Sequence, residues 1–256
     1  MNAITVRAHR PGIRSLSILT LCEAKMVARD TAGLVVPLGL PLLILVSSAT
    51  GAGGQEISDG LTALDLFVIP LVLTMVMATI GIVNMPSFLA MYRRTGILRR
   101  LAVTPASPAM VLLAQIIVSV AQALLGIGLA LAVAMLFFDA GMPRDVVGVI
   151  GVAALAMAAM YSVGLIVAAV APTPNSAVAI GLILFFALGA LGGMFGGPGS
   201  LPEPLAEIGA WLPFGASVDA IAAAWAGAAI EAGHLVSLGI TVVVGVTVAG
   251  LLFRWE

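Results

Sequence analysis

Residues 92–108 read YRRTGILRRLAVTPASP, a charged stretch set between two long apolar runs. Four of the chain's eleven basic residues fall here, as the pairs Arg93–Arg94 and Arg99–Arg100. At helical spacing, positions 93, 97 and 100 share one side of a short helix and 94, 98 and 101 another. Gly96 supplies a turn, and Ile97 with Leu98 an apolar ridge. Thr104-Pro105 predicts a stop, because proline cannot extend a helix. Ser107-Pro108 predicts the next start, with serine as cap and proline in the first turn. A charged helix between two membrane spans is a surface on which another protein can push.

The composition on either side makes those runs membrane spans. The 256 residues are 61% hydrophobic and 9% charged, with a mean hydropathy of +1.19. A soluble domain carries roughly a quarter charged residues, and a helix needs about 20 apolar residues to cross a bilayer. The expected fold is an all-α membrane protein with one transmembrane domain over residues 1–256 and six spans. The spans are expected at about 31–49, 61–91, 109–138, 146–171, 176–195 and 235–253, with residues 92–108 as the connector between the second and third. Pro37 and Pro41 in the first span, and Pro70 and Pro86 in the second, predict bends. Residues 50–60 read as a polar loop.

Residues 1–30 read as an arm rather than a cleaved leader, since the apolar piece Leu16–Cys22 is short and ends at Glu23 and Lys25. Leu16, Leu19, Cys22 and Met26 recur at helical spacing, with Arg14, Glu23, Lys25 and Arg29 elsewhere around the wheel. That pattern predicts an amphipathic helix lying in the membrane interface. Residues 196–234 are too broken by Pro198, Pro202, Pro204 and Pro213 for one span and too apolar for a plain loop. They read as two short helices re-entering the outer leaflet. Trp211, Trp225 and Trp255 are expected near the interfaces.

Charge sets the orientation. Six spans place ten of the eleven basic residues with the N-terminus, the connector, the 172–175 turn and the C-terminus, and leave only Arg144 opposite. The positive-inside bias therefore predicts cytoplasmic termini in an inner or plasma membrane.

Several functions lack their residues. The only lysine is Lys25 and no phosphate-binding loop occurs, so the chain supplies no ATPase motif. The lone Cys22 and two histidines form no metal pattern. Ser217, Asp219 and His234 make a scattered and unpersuasive hydrolase triad. No Asp, Glu, Lys or Arg falls near the centre of a span, where ion-driven carriers keep their relay groups. Energy is therefore expected to arrive from outside the chain. Asn84, Gln115, Gln122 and Tyr161 are the polar side chains within the spans. They read either as interhelical hydrogen-bonding groups or as a substrate pathway. Gly189, Gly193 and Gly197, with Gly192 and Gly196, read as a close-packing stripe.

At the connector the chain resembles the permease subunits of type-2 ABC exporters, the family that includes daunorubicin-type drug, polysaccharide and nodulation-factor exporters. That family carries G-[TV]-L-x-x-L-x-x-T-P between its second and third spans, and Gly96-Ile97-Leu98-Arg99-Arg100-Leu101-Ala102-Val103-Thr104-Pro105 follows it. The segment Leu201-Pro202-Glu203-Pro204-Leu205 through Trp211-Leu212-Pro213-Phe214 is similar to the family's outer re-entrant region. The resemblance implies a coupling helix that seats on a separate ATPase, with Arg93, Arg94, Gly96, Leu98, Arg99, Arg100, Leu101, Thr104 and Pro105 as coupling residues. It also implies a second permease chain, identical or not, a lipid bilayer and no nucleic acid as partners. This chain would bind no cofactor, ATP and magnesium residing on the ATPase. Many members carry glutamate beside the motif where this chain has arginines, so its partner groove would be acidic. The apolar spans lean toward a hydrophobic drug-like or lipid-like substrate, and the Ala-, Gly- and Val-rich composition toward a bacterial genome. The competing readings are a membrane scaffold without transport activity and a carrier driven by an ion gradient.

Overall fold

The computed structural model describes residues 12–51, 56–58, 60–96, 108–196 and 201–252. Six helices among these are long and apolar enough to cross a membrane. The first span is α2 (Thr31–Gly51), preceded by the amphipathic helix α1 (Ile13–Arg29). The second span runs Leu64–Arg94 and is continuous but wound unevenly. Two π-helical stretches, Leu64–Val68 and Thr79–Asn84, alternate with α3 (Ile69–Ala78) and α4 (Met85–Arg94). Pro70 and Pro86 are the second residues of α3 and α4, each directly after a π-helical stretch, whose wider winding takes up the break that a missing N–H makes in a continuous helix. Then come α5 (Pro108–Phe137), α6 (Val146–Val170), α7 (Pro174–Leu191), the bent pair α8 (Glu203–Trp211) and α9 (Pro213–Ala226), and α10 (Ala232–Leu252).

The second span is the centre of the bundle. Its most apolar window is 72% buried, whereas the other five spans range from 22% to 39%. It reaches the fourth span, α6, by backbone contact. A Cβ on Gly164 would collide with the Gly81 carbonyl oxygen, so only glycine permits this approach. The outward faces of the remaining spans are apolar, with Leu124, Ile183 and Val243 all well exposed, as a hydrocarbon medium requires.

Local sequence sets the helix ends. Asp30 accepts the Gly33 N–H at 3.1 Å and starts the first span. Asp145 accepts the Gly148 N–H at 2.8 Å and starts the fourth. Thr173 and Ser176 cap the fifth reciprocally, with Pro174 at the first helical position, two residues before the expected Ser176 start.

The end of the bundle away from the connector is closed by polar staples. The stretch expected as a plain loop contains a short antiparallel hairpin, Glu56–Ser58 with Leu61–Thr62, turned at Gly60. Asp65, only 1% exposed, joins this hairpin to the next loop. Its carboxylate accepts from Thr62 N–H at 3.0 Å, Thr62 Oγ1 at 2.7 Å and Gly141 N–H at 2.8 Å. The bent pair turns by 83° at Leu212, where Pro213 opens α9. A Cβ on Gly209 would strike the Leu191 carbonyl oxygen, so α8 lies directly on the end of the fifth span. Gly189 and Gly192 close in on Met194 and Phe214, which makes that part of the glycine stripe a packing device within the chain.

Two placements depart from expectation. Glu23 faces inward rather than around the polar side of α1, because the Tyr92 hydroxyl donates a hydrogen bond to it. Trp225 is 1% exposed and faces the core rather than open surface, because α9 packs against the second and fourth spans; its carbonyl accepts the Arg144 N–H of the far-end loop at 3.0 Å. Trp211 is 58% exposed, and Trp255 lies outside the described residues.

Candidate functional site

The root of the connector is held from two sides. Tyr92 and Arg93 end the second span, and Thr95 and Gly96 turn away from it, Gly96 at φ +68°. The Tyr92 hydroxyl donates to Glu23 and lies 3.9 Å from Met26 Sδ, both on α1. Val27 of α1 packs with Phe88 and Val118, binding this helix to the second and third spans. Burial pushes the Glu23 carboxyl above its ordinary pKa, and the Tyr92 hydrogen bond opposes that only in part. The Arg93 guanidinium donates to the Ala171 carbonyl, with the Ala169 carbonyl 3.5 Å away. It thereby serves carbonyls that the end of α6 leaves open.

Arg94, by contrast, is exposed. The two arginines thus differ in kind: Arg93 is built into the bundle and Arg94 is available at its surface. Leu98, Arg99, Arg100, Leu101, Thr104 and Pro105 lie outside the described residues.

The polar residues of the spans separate into groups. Pro37 has no N–H, so the Gly33 carbonyl loses its helical donor. Asn84 Nδ2 donates to that oxygen at 2.9 Å, and Gln122 Nε2 donates to it at 2.8 Å. Asn84 also donates to Gln122 Oε1 at 3.2 Å, closing a triangle among the first three spans. Pro41 deprives the Pro37 carbonyl in the same way, and the Thr79 hydroxyl stands 3.5 Å from it. Asn84 and Gln122 are therefore occupied by proline-broken backbone.

Gln115 lies on the same face of α5, one and two turns before Ser119 and Gln122. It is 1% exposed, and both amide atoms lack a partner among the described residues. Tyr161 is 7% exposed and packs across Gly81.

Two cavities stand out among the described residues. A lateral groove of about 510 Å³ opens between the second, third and fourth spans, with Leu73, Val120, Leu131, Met157 and Tyr161 among its walls. A second cavity of about 530 Å³ lies at the far end, beneath the bent pair.

The family model for ABC-2 type transporters matches residues 14–225. The chain belongs to that family. It is a multi-pass membrane protein and the permease component of an ABC transporter, a family that works with an ABC ATPase in a bilayer. No curated protein sequence matches the chain closely enough to add to this. The match takes in α1, the connector and the bent pair, and ends before α10.

Among the described residues Ser217, Asp219 and His234 do not assemble as a triad, since Ser217 is hydrogen-bonded within its own helix. Ser217 is fully buried and donates at 2.6 Å to the Pro213 carbonyl of its own helix. His234 Nε2 stands 3.8 Å from Asp219 and 3.9 Å from Glu231. Among the described residues no group of three or more His, Cys, Asp or Glu could hold a metal ion. The triangle at Gly33 was half legible in the sequence, which shows Pro37 and two amides. Their meeting needs three helices to assemble.

Proposed function

We propose that this chain forms one half of the pore of an ATP-driven exporter. In this reading a separate ATPase seats on residues 92–108 from the cytoplasm, and two permease chains enclose the pathway. The substrate is an apolar or amphipathic small molecule, drug-like or lipid-like.

The observation that carries the reading is the double anchorage of Tyr92 and Arg93. A load applied to the connector meets α1 through Glu23 and the end of the fourth span through Ala171. It also enters the second span, the most buried element of the bundle. A packed interior does not absorb such a load as local give; it shifts helices against one another. The apolar outward faces of the fifth and sixth spans leave room for a second chain as well as lipid.

The test is a charge reversal beyond the anchor. Arg99→Glu combined with Arg100→Glu should insert normally, because Arg93, Arg94 and the basic arm hold the topology. Facing an acidic groove, the reversal turns attraction into repulsion, which can cost several kcal/mol. Pull-down of the ATPase at matched membrane levels should therefore fall together with export. Retention of both would show that these arginines serve orientation alone.

A further inference from the structure

We propose that the cavity beneath the bent helix pair binds an apolar organic cation, with Asp219 holding its charge; this rests on the export reading and names the substrate class. The cavity's volume of about 530 Å³ lies within the roughly 300–1,000 Å³ usual for small-molecule sites. Phe67 and Leu71 of the second span, Met194 and Phe195 beyond the fifth, and Val218 and Asp219 of α9 build its walls. Asp219 is the one ionisable side chain among the described lining residues.

A carboxylate in an apolar wall discriminates by charge. A cation gains Coulomb attraction in a medium of low dielectric, whereas an anion of equal size meets repulsion as well as lost hydration. Phe67 and Phe195 are 38% and 70% exposed, and although one face of the Phe195 ring stacks on Phe186, both side chains supply aromatic surface to the same wall. Behind Asp219 stand His234 at 3.8 Å and, 3.9 Å from the same imidazole nitrogen, Glu231. Two carboxylates face one imidazole; burial raises the Asp219 pKa above the usual aspartate value and His234 opposes that rise, so the charge offered to a cation is present once pH exceeds the raised value. Arg144, the basic residue at this end, packs its side chain against Gly227, past the end of α9 and eight positions from Asp219.

The experiment is equilibrium dialysis of the full-length permease in nanodiscs, with empty nanodiscs as blank. Tetraphenylphosphonium and tetraphenylborate serve as probes of matched size and opposite charge. The phosphonium should bind in excess of the blank and the borate should not. Asp219→Asn should weaken phosphonium binding about tenfold or more, the scale of one charge pair at partial burial. Ala222→Phe, which fills the cavity from the next turn and spares the carboxylate, should abolish it. Both variants should keep the thermal midpoint of the parent, since position 219 is half exposed and position 222 borders open space. Equal binding of both ions, or phosphonium binding indifferent to both substitutions, would overturn the proposal. Binding needs no ATPase, so Asp219-dependent binding without ATP-driven export would sink the exporter reading and leave this site standing.

Discussion

Asn84 and Gln122 read in the sequence either as interhelical hydrogen-bonding groups or as a substrate pathway, and in the structure they act as repair groups. Both serve the Gly33 carbonyl that Pro37 strips of its donor. In hydrocarbon no water can take their place. Asn84→Leu should therefore lower stability by about 1–2 kcal/mol, the upper range for interhelical hydrogen bonds in membranes. Pro37→Ala should recover part of that loss, because residue 37 regains an N–H aimed at Gly33. A double-mutant cycle on denaturant midpoints reads the coupling directly. Additive effects would show that the carbonyl finds its donor elsewhere. Arg93 follows the same logic at the end of the fourth span, where its guanidinium meets carbonyls that no helical N–H reaches.

At the scale of the element, α1 is docked through a carboxyl. Glu23 is buried against Tyr92, and burial raises its pKa from the usual glutamate value. The neutral form is thus the one favoured in the docked helix. Stability from this contact is present below the unfolded pKa and is lost as pH rises through the higher, folded value. Glu23→Gln, which stays neutral, should match the parent in acid and become the more stable protein above that range. Thermal midpoints taken across pH for the pair give the test; parallel curves would mean that Glu23 is not desolvated. The bent pair shows the other way an element is placed. Pro213 starts α9 afresh after Leu212, and Gly209 lets α8 lie on the Leu191 carbonyl, so backbone shape rather than charge sets the 83° turn.

For the whole molecule the governing quantity is the distribution of charge across six spans. If the positive-inside bias orients the bundle, Thr95 and the connector face the cytoplasm, and Glu203 of the bent pair faces out. In a Cys22→Ser background, Glu203→Cys should react with an impermeant maleimide on intact cells. Thr95→Cys should react only after the membrane is opened; both positions are exposed, so access and not burial decides the result. Labelling of Thr95→Cys in intact cells would reverse the molecule and remove the ATPase from the connector.

The number of candidate spans and the helical class were legible in the chain because hydropathy and proline are local signals. So was the broken segment before the last span, where prolines crowd an apolar run. The inward turn of Glu23, the burial of Trp225 and the triangle at Gly33 were not. The polar contacts join partners 38 to 89 positions apart, and Trp225 is covered by spans elsewhere in the chain, which no helical period encodes. A wheel drawn for α1 places Glu23 with the other charges, and only the packed Tyr92 gives it a reason to face inward. The same holds for the cavity at Asp219. Its walls come from the second span, the end of the fifth and α9, and they surround one carboxylate only once the bent pair has closed over them. Sequence alone determined what lies in the membrane, because transfer into hydrocarbon is a property of each segment. Tertiary structure decided which polar groups are spent on the backbone and which remain for a ligand, because a hydrogen bond requires both partners in place.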